Sequence, residues 1–197
     1  RCVASLIMSE EQSPTAVIET GAGLLYTRQE NGGLVRVDMG EVKLDWADIP
    51  VAEEIDTLHL GLEEGALKDP VGVNVGNPHA VFFVDETAAI PLADLGPTIE
   101  HHGLFPESVN VGVAEIQTRS SIRLRVWERG VGITQACGTG ACAALIAAAR
   151  RDLTDRIAEV VLDGGALTIE WSDDNHVHMT GPVATSFSGT LSDGLLG

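Results

Sequence analysis

The residue best suited to chemistry in this chain is the cysteine at position 137, which stands inside a short glycine-rich segment. Gly138, Thr139 and Gly140 follow it, and small helix formers continue to Arg150, so a helix is predicted to begin here. The unpaired N–H groups and the dipole of a first helical turn favour negative charge, so we expect the pKa of the Cys137 thiol to be lowered enough for a base. The Cys-Gly-x-Gly pattern alone fits a buried structural cysteine at a tight turn equally well.

Two charged residues precede this cysteine at the end of a predicted strand. Arg129 offers a forked donor suited to a carboxylate, and Glu128 could hold an ammonium group. A generic Glu-Arg dipeptide is more often a surface ion pair. Thr139 could cap the helix or bind a carboxylate, and glycine at position 138 lets the backbone approach a ligand closely.

Three further polar residues are candidates because they occur together. Asn77 and His79 flank a proline that interrupts a run of alternating valines, and Asn110 lies between two valines of another predicted strand. Each of them alone is more often a turn residue or a hydrogen-bonded polar group than a ligand. A strand broken by a turn is nevertheless a favourable place for a binding site.

Other chemistries have little support in the sequence. The histidine pairs at 101–102 and 176–178 lack a third ligand at a metal-binding spacing, so no metal is expected. There is no glycine-rich dinucleotide loop and no nucleophile elbow. Both lysines, Lys43 and Lys68, stand in polar surroundings, which argues against a pyridoxal Schiff base. We therefore expect no cofactor.

Charge and composition limit the kind of partner. The 197 residues carry a net charge of −17, which disfavours nucleic acid and anionic lipid, and a small soluble substrate is expected instead. No window reaches the roughly 20 apolar residues that a membrane span requires. Three cysteines do not make a disulfide framework. A cytoplasmic location is predicted.

The hydrophobic periodicity of the sequence assigns these residues to predicted helices and strands. Helices are predicted at Arg1 to Glu11, Leu92 to His102 and after Cys137. Alternation predicts strands, and on the strand from 122 to 127 the period of two puts Glu128 on the apolar face. The remaining strands are predicted around 35–39, 71–75, 80–84, 108–113, 160–162, 167–171, 176–179 and 183–187.

Several segments resemble the diaminopimelate epimerase family in its own order. The strongest match is Glu128-Arg129-Gly130 followed by Gln135-Ala136-Cys137-Gly138-Thr139-Gly140-Ala141-Cys142-Ala143. Asn74-Val75-Gly76-Asn77-Pro78-His79, Phe105-Pro106-Glu107-Ser108-Val109-Asn110-Val111-Gly112 and Met179-Thr180-Gly181-Pro182 are also similar to that family. The resemblance covers essentially the whole chain.

The resemblance implies an α+β fold of two pseudo-symmetric lobes, each a mostly antiparallel, barrel-like sheet around a central helix. Residues 1–40 and 184–197 would be a remnant of the N-terminal lobe, and residues 41–183 the C-terminal lobe. In the periodicity itself, the small residues from Ala143 to Ala149 suit a helix contacted by sheet on every side. A homodimer is expected from the same resemblance.

The activity implied is cofactor-independent inversion of one α-carbon of LL-diaminopimelate, which gives the meso form for lysine and peptidoglycan synthesis. Two cysteines on opposite faces of the carbon exchange protons with it. Cys137 would be one of them, with His79 and Glu128 supporting the transfers and Gly138 and Thr139 holding the α-carboxylate. The groups expected to bind the rest of the substrate are Asn77, Asn110, Glu128 and Arg129.

The departure from the family lies at the start of the chain. The other catalytic cysteine would fall a few residues before Arg1, and Cys2 matches a noncatalytic cysteine, so the 197-residue chain alone is expected to be inactive. Two alternatives stay open: another cysteine-pair racemase of the same fold, acting on proline or hydroxyproline, and a non-catalytic ligand-binding remnant.

Overall fold

The computed structural model describes residues 1–21, 23–190 and 194, and within them the protein is α+β, as predicted. The helices are α1 (Cys2–Glu10), α2 (Leu92–Glu100) and α3 (Gly138–Arg150). The strands are β1 (Thr15–Thr20), β2 (Gly23–Gln29), β3 (Leu34–Glu41), β4 (Glu63–Glu64), β5 (Leu67–Lys68), β6 (Val71–Asn74), β7 (Pro78–Phe83), β8 (Asn110–Thr118), β9 (Ser121–Glu128), β10 (Gly132–Thr134), β11 (Ile157–Leu162), β12 (Gly165–Trp171) and β13 (His176–Pro182).

One large mixed sheet organises the described residues. Its strand order is β1-β2-β3-β13-β12-β11-β9-β8-β7-β6, with β10 added beside β9, while β4 and β5 form a separate hairpin. Most pairs are antiparallel, and β11 with β9 and β7 with β8 are parallel. Among the residues described, the hydrogen-bonded path stays open, so the sheet is not a closed barrel there. An isolated antiparallel bridge between Lys43 and Asn74 joins the segment after β3 to β6.

The sheet surrounds α3. This helix packs against β6, β7, β8, β9, β11, β12 and β13. Its residues from Gly140 to Ala148 are all fully buried, which is possible because most of them are alanine or glycine and let strands approach from every side. The predicted small-residue helix inside a curved sheet is therefore confirmed.

A second apolar layer covers the outer side of β7 and β8. On β7, Val81 packs in the cluster around α3, whereas Phe82 packs with Leu92 and Ile99 of α2. Strands that are buried on both faces read as continuous apolar runs, as the segment from Ala80 to Phe83 does. This packing fixes α2 against the strands that carry the candidate polar residues.

The first part of the chain continues the same sheet. The predicted opening helix is confirmed as α1, and its Ala4 and Met8 pack in the apolar cluster that includes α3. The prediction of a strand at 183–187 is wrong, because β13 ends at Pro182, opposite the first residue of β3, and no partner strand extends further. The division into lobes stays a prediction, and residues 191–193 and 195–197 of the 184–197 segment lie outside the described residues.

Candidate active site

Cys137 is the N-cap of α3, as the sequence predicted. Its backbone is extended, with φ −137° and ψ 109°, and its sulfur accepts a hydrogen bond from the Gly140 N–H at 3.3 Å. The Thr139 hydroxyl oxygen lies 3.5 Å from the sulfur. A Cβ at position 140 would lie 3.0 Å from Val126 Cγ2 and 3.2 Å from the sulfur. A side chain at this position would therefore displace β9 or the thiol by a few tenths of an ångström.

The pKa of Cys137 shifts in the opposite direction to the sequence-based expectation. Burial raises it, since the residue is only 5% exposed, and the nearby Glu128 carboxylate raises it further. The Thr139 hydroxyl and the Gly140 N–H lower the pKa but do not outweigh these causes. The expectation of a helix-lowered thiolate is therefore wrong in this structure, and the sulfur favours its protonated form.

Glu128 lies where the period of two placed it. Ile122, Leu124 and Val126 are buried against α3, and the half-buried Glu128 follows on the same side of β9. Its Oε1 accepts a 2.5 Å hydrogen bond from the hydroxyl of Thr134 on the neighbouring β10. Thr134 thus orients the carboxylate near the sulfur, a role that the sequence reasoning missed.

Arg129 points away from that carboxylate. Its guanidinium Nη1 donates to the backbone carbonyl oxygens of Glu107 at 2.8 Å and Ser108 at 3.4 Å. In the described part of the chain no ion pair joins Arg129 to Glu128, so the surface-pair interpretation of this dipeptide does not hold. The exposed guanidinium group therefore lies close to the start of β8.

Asn110, the first residue of β8, is hydrogen-bonded to the start of β7 and to the residue that follows β9. It is 3% exposed, and its amide Nδ2 donates to the Pro78 carbonyl oxygen at 2.8 Å. Its Oδ1 accepts from the Arg129 backbone N–H at 3.0 Å. The side-chain amide therefore binds the protein through both its nitrogen and its oxygen. One of its two N–H hydrogens remains available for a ligand.

His79 is fully buried on β7 and is held in its neutral form. Its Nε2 lies 3.0 Å from Asn77 Oδ1, and because an amide oxygen only accepts, this nitrogen carries the proton. Burial, and secondarily the Arg129 charge, lower the pKa of His79 to about 3. Its Nδ1 is buried and has no hydrogen-bond partner among the described residues, so a lone pair remains available.

The candidates fall into two neighbouring groups. Asn77 and Arg129 share a cleft of about 370 Å³, whose other lining residues include Glu107 and Asp48. Cys137 does not line this cleft and instead contacts Thr139 and the Glu128 carboxylate. Asn110 is hydrogen-bonded to Pro78 and Arg129, both of which line the cleft.

A methionine covers the first turn of α3. A Cβ at position 138 would lie 2.9 Å from Met179 Sδ on β13, so the flexible end of this methionine packs directly on the Gly138 backbone. The segment Met179-Thr180-Gly181-Pro182 was recognised only as a motif, and no role was predicted for its methionine. Its contact with the helix start depends on the curvature of the sheet, which the local sequence does not reveal.

Comparison with known proteins decides the family. A sequence profile described as diaminopimelate epimerase matches residues 71–186, more than half of the chain. The chain belongs to the diaminopimelate epimerase family. The diaminopimelate epimerase of Rhodospirillum centenum is 55% identical over 196 residues, a match of 100% of this chain and 67% of that protein. The diaminopimelate epimerase of Acidiphilium cryptum is 51% identical over 196 residues, again 100% of this chain and 71% of that protein. The chain thus spans about two thirds of the length of these relatives.

Solved structures show the same fold for this member of the diaminopimelate epimerase family. A probable proline racemase from Agrobacterium radiobacter K84, solved with bound carbonate, has a TM-score of 0.63 at 18% identity, over 92% of this chain and 63% of that one. A hydroxyproline epimerase from Agrobacterium vitis, with bound trans-4-hydroxy-L-proline, has a TM-score of 0.61 at 16% identity, over 92% and 62%.

Two other features bear on the predictions for metals and membranes. Within the described residues, no three His, Cys, Asp or Glu side chains are grouped as a metal site would require. None of the helices in that part of the chain has the length and apolar character to cross a bilayer.

Proposed function

We propose that the protein containing this chain interconverts LL- and meso-diaminopimelate by two-base proton transfer without a cofactor. The observation that carries the proposal is the position of the Cys137 sulfur, at the N-terminus of α3 and beside the Glu128 carboxylate. The family relationship supports the substrate, since relatives of 50% identity and more bear that name.

The proton transfers follow from the ionisation of the thiol. In the direction from LL to meso, a second thiolate removes the α-proton from one face, and Cys137 delivers its proton to the other face. The raised pKa of Cys137 supports this assignment, because a proton donor must rest in its protonated form. Cys137 becomes the base in the reverse direction, so the thiol and thiolate exchange roles and the proton balance is zero.

The start of α3 is proposed to bind the reacting end of the substrate. The first backbone N–H groups of a helix have no intrahelical acceptor, and they favour an anion. The N–H groups of Gly138 and Thr139 would therefore hold the α-carboxylate and stabilise the charge that develops when the carbon acid ionises. His79, neutral and with a free Nδ1 lone pair, would support proton transfer.

The remaining groups would bind the far end of the substrate. Arg129 can pair with the distal carboxylate, and Glu128 with an ammonium group. Asn77 lines the same cleft as Arg129, and the buried Asn110, which accepts from the Arg129 backbone N–H, would offer its remaining amide hydrogen. Anchoring a distant charged group lets a small site reject ordinary amino acids and helps to orient the reacting carbon.

The second thiol is proposed to come from outside these 197 residues. Cys142 is fully buried, and burial raises its pKa to about 12. Cys2 is exposed at the start of α1 and matches a noncatalytic family position. We therefore expect the isolated chain to be inactive and the longer parent protein, which would contain this chain and the second cysteine, to be active.

The test is α-proton exchange of LL-diaminopimelate in deuterium oxide with the parent protein. Wild type should incorporate deuterium and invert the carbon, whereas Cys137→Ser should abolish inversion, because no acid remains on the Cys137 face. Cys142→Ala, on the same helix, is the matched control and should retain activity. A Cys137→Ser protein that inverts the substrate at the wild-type rate would refute the proposal, as would full turnover by the 197-residue chain alone.

The fold favours a second candidate, an epimerase acting on proline or hydroxyproline. Structures of such proteins share this architecture. Proline lacks a second carboxylate and ammonium, so the Glu128-Arg129 pair favours the longer substrate. Turnover of proline but not of diaminopimelate by the parent protein would decide for this candidate, and binding without turnover of either would indicate a non-catalytic remnant.

We also propose that the parent protein is a cytoplasmic homodimer that binds neither nucleic acid nor membrane. The net charge of −17 supports the absence of such polyanionic partners. Sedimentation of the parent protein would test the dimer, and cell fractionation would test its location.

A further inference from the structure

Glu100, the last residue of α2, has an unusual environment for a carboxylate. The residue is only 4% exposed, and the Nε2 of the exposed His101 lies 3.9 Å from Oε1, beyond hydrogen-bond distance. Two neutral N–H groups bind the carboxylate instead. Oε2 accepts from the Trp127 indole Nε1 at 2.6 Å, and Oε1 accepts from the Gly130 backbone N–H at 2.8 Å. The structure thus uses a buried carboxyl group to hold two specific donors.

These two donors flank the Glu128-Arg129 dipeptide. Trp127 comes immediately before it and Gly130 immediately after it. Gly130 has φ +74°, in the left-handed region, and it forms the turn from β9 to β10. The turn is closed by a hydrogen bond from the Val131 N–H to the Glu128 carbonyl oxygen at 3.0 Å. One carboxylate therefore fixes the turn at both ends of the dipeptide.

A tight contact keeps α2 in register with this turn. A Cβ at Gly96 would lie 2.5 Å from Trp127 Cδ2, so the indole packs directly on the helix backbone. The indole is thereby held by packing on one side and by the Glu100 carboxylate on the other. Neither the helix nor the turn can shift without breaking one of these contacts.

We propose that Glu100 is a positioning residue for the epimerase reaction: it sets the orientation in which Glu128 and Arg129 meet the substrate. This inference rests on the proposed function of the same site. Glu100 does not itself touch substrate, because its two oxygens are buried under the turn and engaged by Trp127 and Gly130. Its effect on the reaction passes through the backbone of the dipeptide.

Glu100→Gln in the parent protein tests the proposal. The variant keeps the side-chain volume but replaces one acceptor oxygen with an NH2 group, so one of the two N–H donors faces another donor. We expect kcat/KM for diaminopimelate to fall about 10- to 100-fold, the effect of a sub-ångström to 1 Å misplacement of a binding group. The indole N–H signal of Trp127, one of three tryptophans, should move in a proton–nitrogen correlation spectrum.

Glu115→Gln is the matched control. The Glu115 Oε2 accepts from the Thr87 backbone N–H at 3.1 Å, so this variant also disturbs a carboxylate bound to an N–H, but far from the β9–β10 turn. We expect it to lower stability without changing kcat/KM or the Trp127 signal. Urea unfolding of both variants separates a loss of folded protein from a loss of activity in the folded protein.

The outcomes are distinct. A Glu100→Gln protein with wild-type kcat and KM overturns the inference while leaving the proposed function intact. So does an unmoved Trp127 signal, or a loss of activity that only matches the loss of folded protein. A wild-type parent protein that exchanges no α-proton of diaminopimelate overturns the proposed function, and this inference falls with it.

Discussion

Gly140→Ala perturbs the candidate site through a single methyl group. The added Cβ would lie 3.2 Å from the Cys137 sulfur and 3.0 Å from Val126 Cγ2, against ordinary contacts of 3.4–4 Å. Restoring both contacts to 3.4 Å requires a displacement of about 0.2 Å between the methyl group and the sulfur and about 0.4 Å between the methyl group and Val126. If 1 Å of misplacement costs about 100-fold in rate, a shift of this size at the sulfur lowers kcat of the parent protein about two- to sixfold.

Two opposing effects on stability are expected in this variant. Overpacking costs about 1–3 kcal/mol, whereas alanine in place of glycine within a helix returns about 1 kcal/mol. The net loss in the free energy of unfolding is therefore about 0–2 kcal/mol, which urea denaturation measures.

Gly103→Ala is the control for Gly140→Ala. A Cβ at position 103 meets nothing within 4 Å, so neither kcat nor stability should change. Deuterium incorporation into diaminopimelate supplies the rates. Wild-type kcat in folded Gly140→Ala protein would refute the reasoning, since it would mean that the sulfur position is not critical.

Three further predictions concern the same region and the pH dependence of folding. Asn110→Ala leaves the buried Pro78 carbonyl oxygen and the partly buried Arg129 N–H without this partner and should lower the free energy of unfolding by about 2 kcal/mol in urea. Glu128→Gln removes one cause of the raised pKa of Cys137, so alkylation of this thiol, followed by mass spectrometry, should begin at lower pH than in wild type. The bond to Asp38 raises the pKa of His176 above 6.5, whereas burial raises the pKa of Asp38 but is outweighed by the Gly40 N–H and His176, which lower it below 3.8. The stabilisation by this pair should be complete between pH 3.8 and 6.5. It should be lost as the pH rises through the folded pKa of His176 or falls through that of Asp38. In His176→Gln, the free energy of unfolding should therefore depend less on pH.

Local pattern was sufficient for the elements that carry the site. The period of two from Ile122 to Val126 correctly placed Glu128 on the α3 side of β9. The small residues after Cys137 correctly predicted a buried helix with the cysteine at its start. Both signals are local, because a strand or helix repeats its facing residues within a few positions.

The parts that could not be predicted depend on contacts between distant segments. Alternation at 183–187 resembled a strand, but a strand needs a partner, and β3 begins opposite Pro182. The sequence analysis assigned no role to Glu100 or Thr134, because only the fold brings them beside Trp127 and Glu128. Roles that arise from the approach of several strands and helices leave no signature in a single segment.

The direction of the Cys137 pKa is the most instructive of these differences. A helix N-terminus stabilises a thiolate, but its effect is limited to a few donors, of which the Gly140 N–H is the one in contact. Burial and the Glu128 carboxylate both act against the charge and prevail. A two-base inversion needs one thiol protonated and one ionised before the substrate binds. The raised pKa would therefore make Cys137 the protonated thiol of the pair. The N–H groups at the start of α3 would then stabilise the negative charge of the substrate and not that of the sulfur.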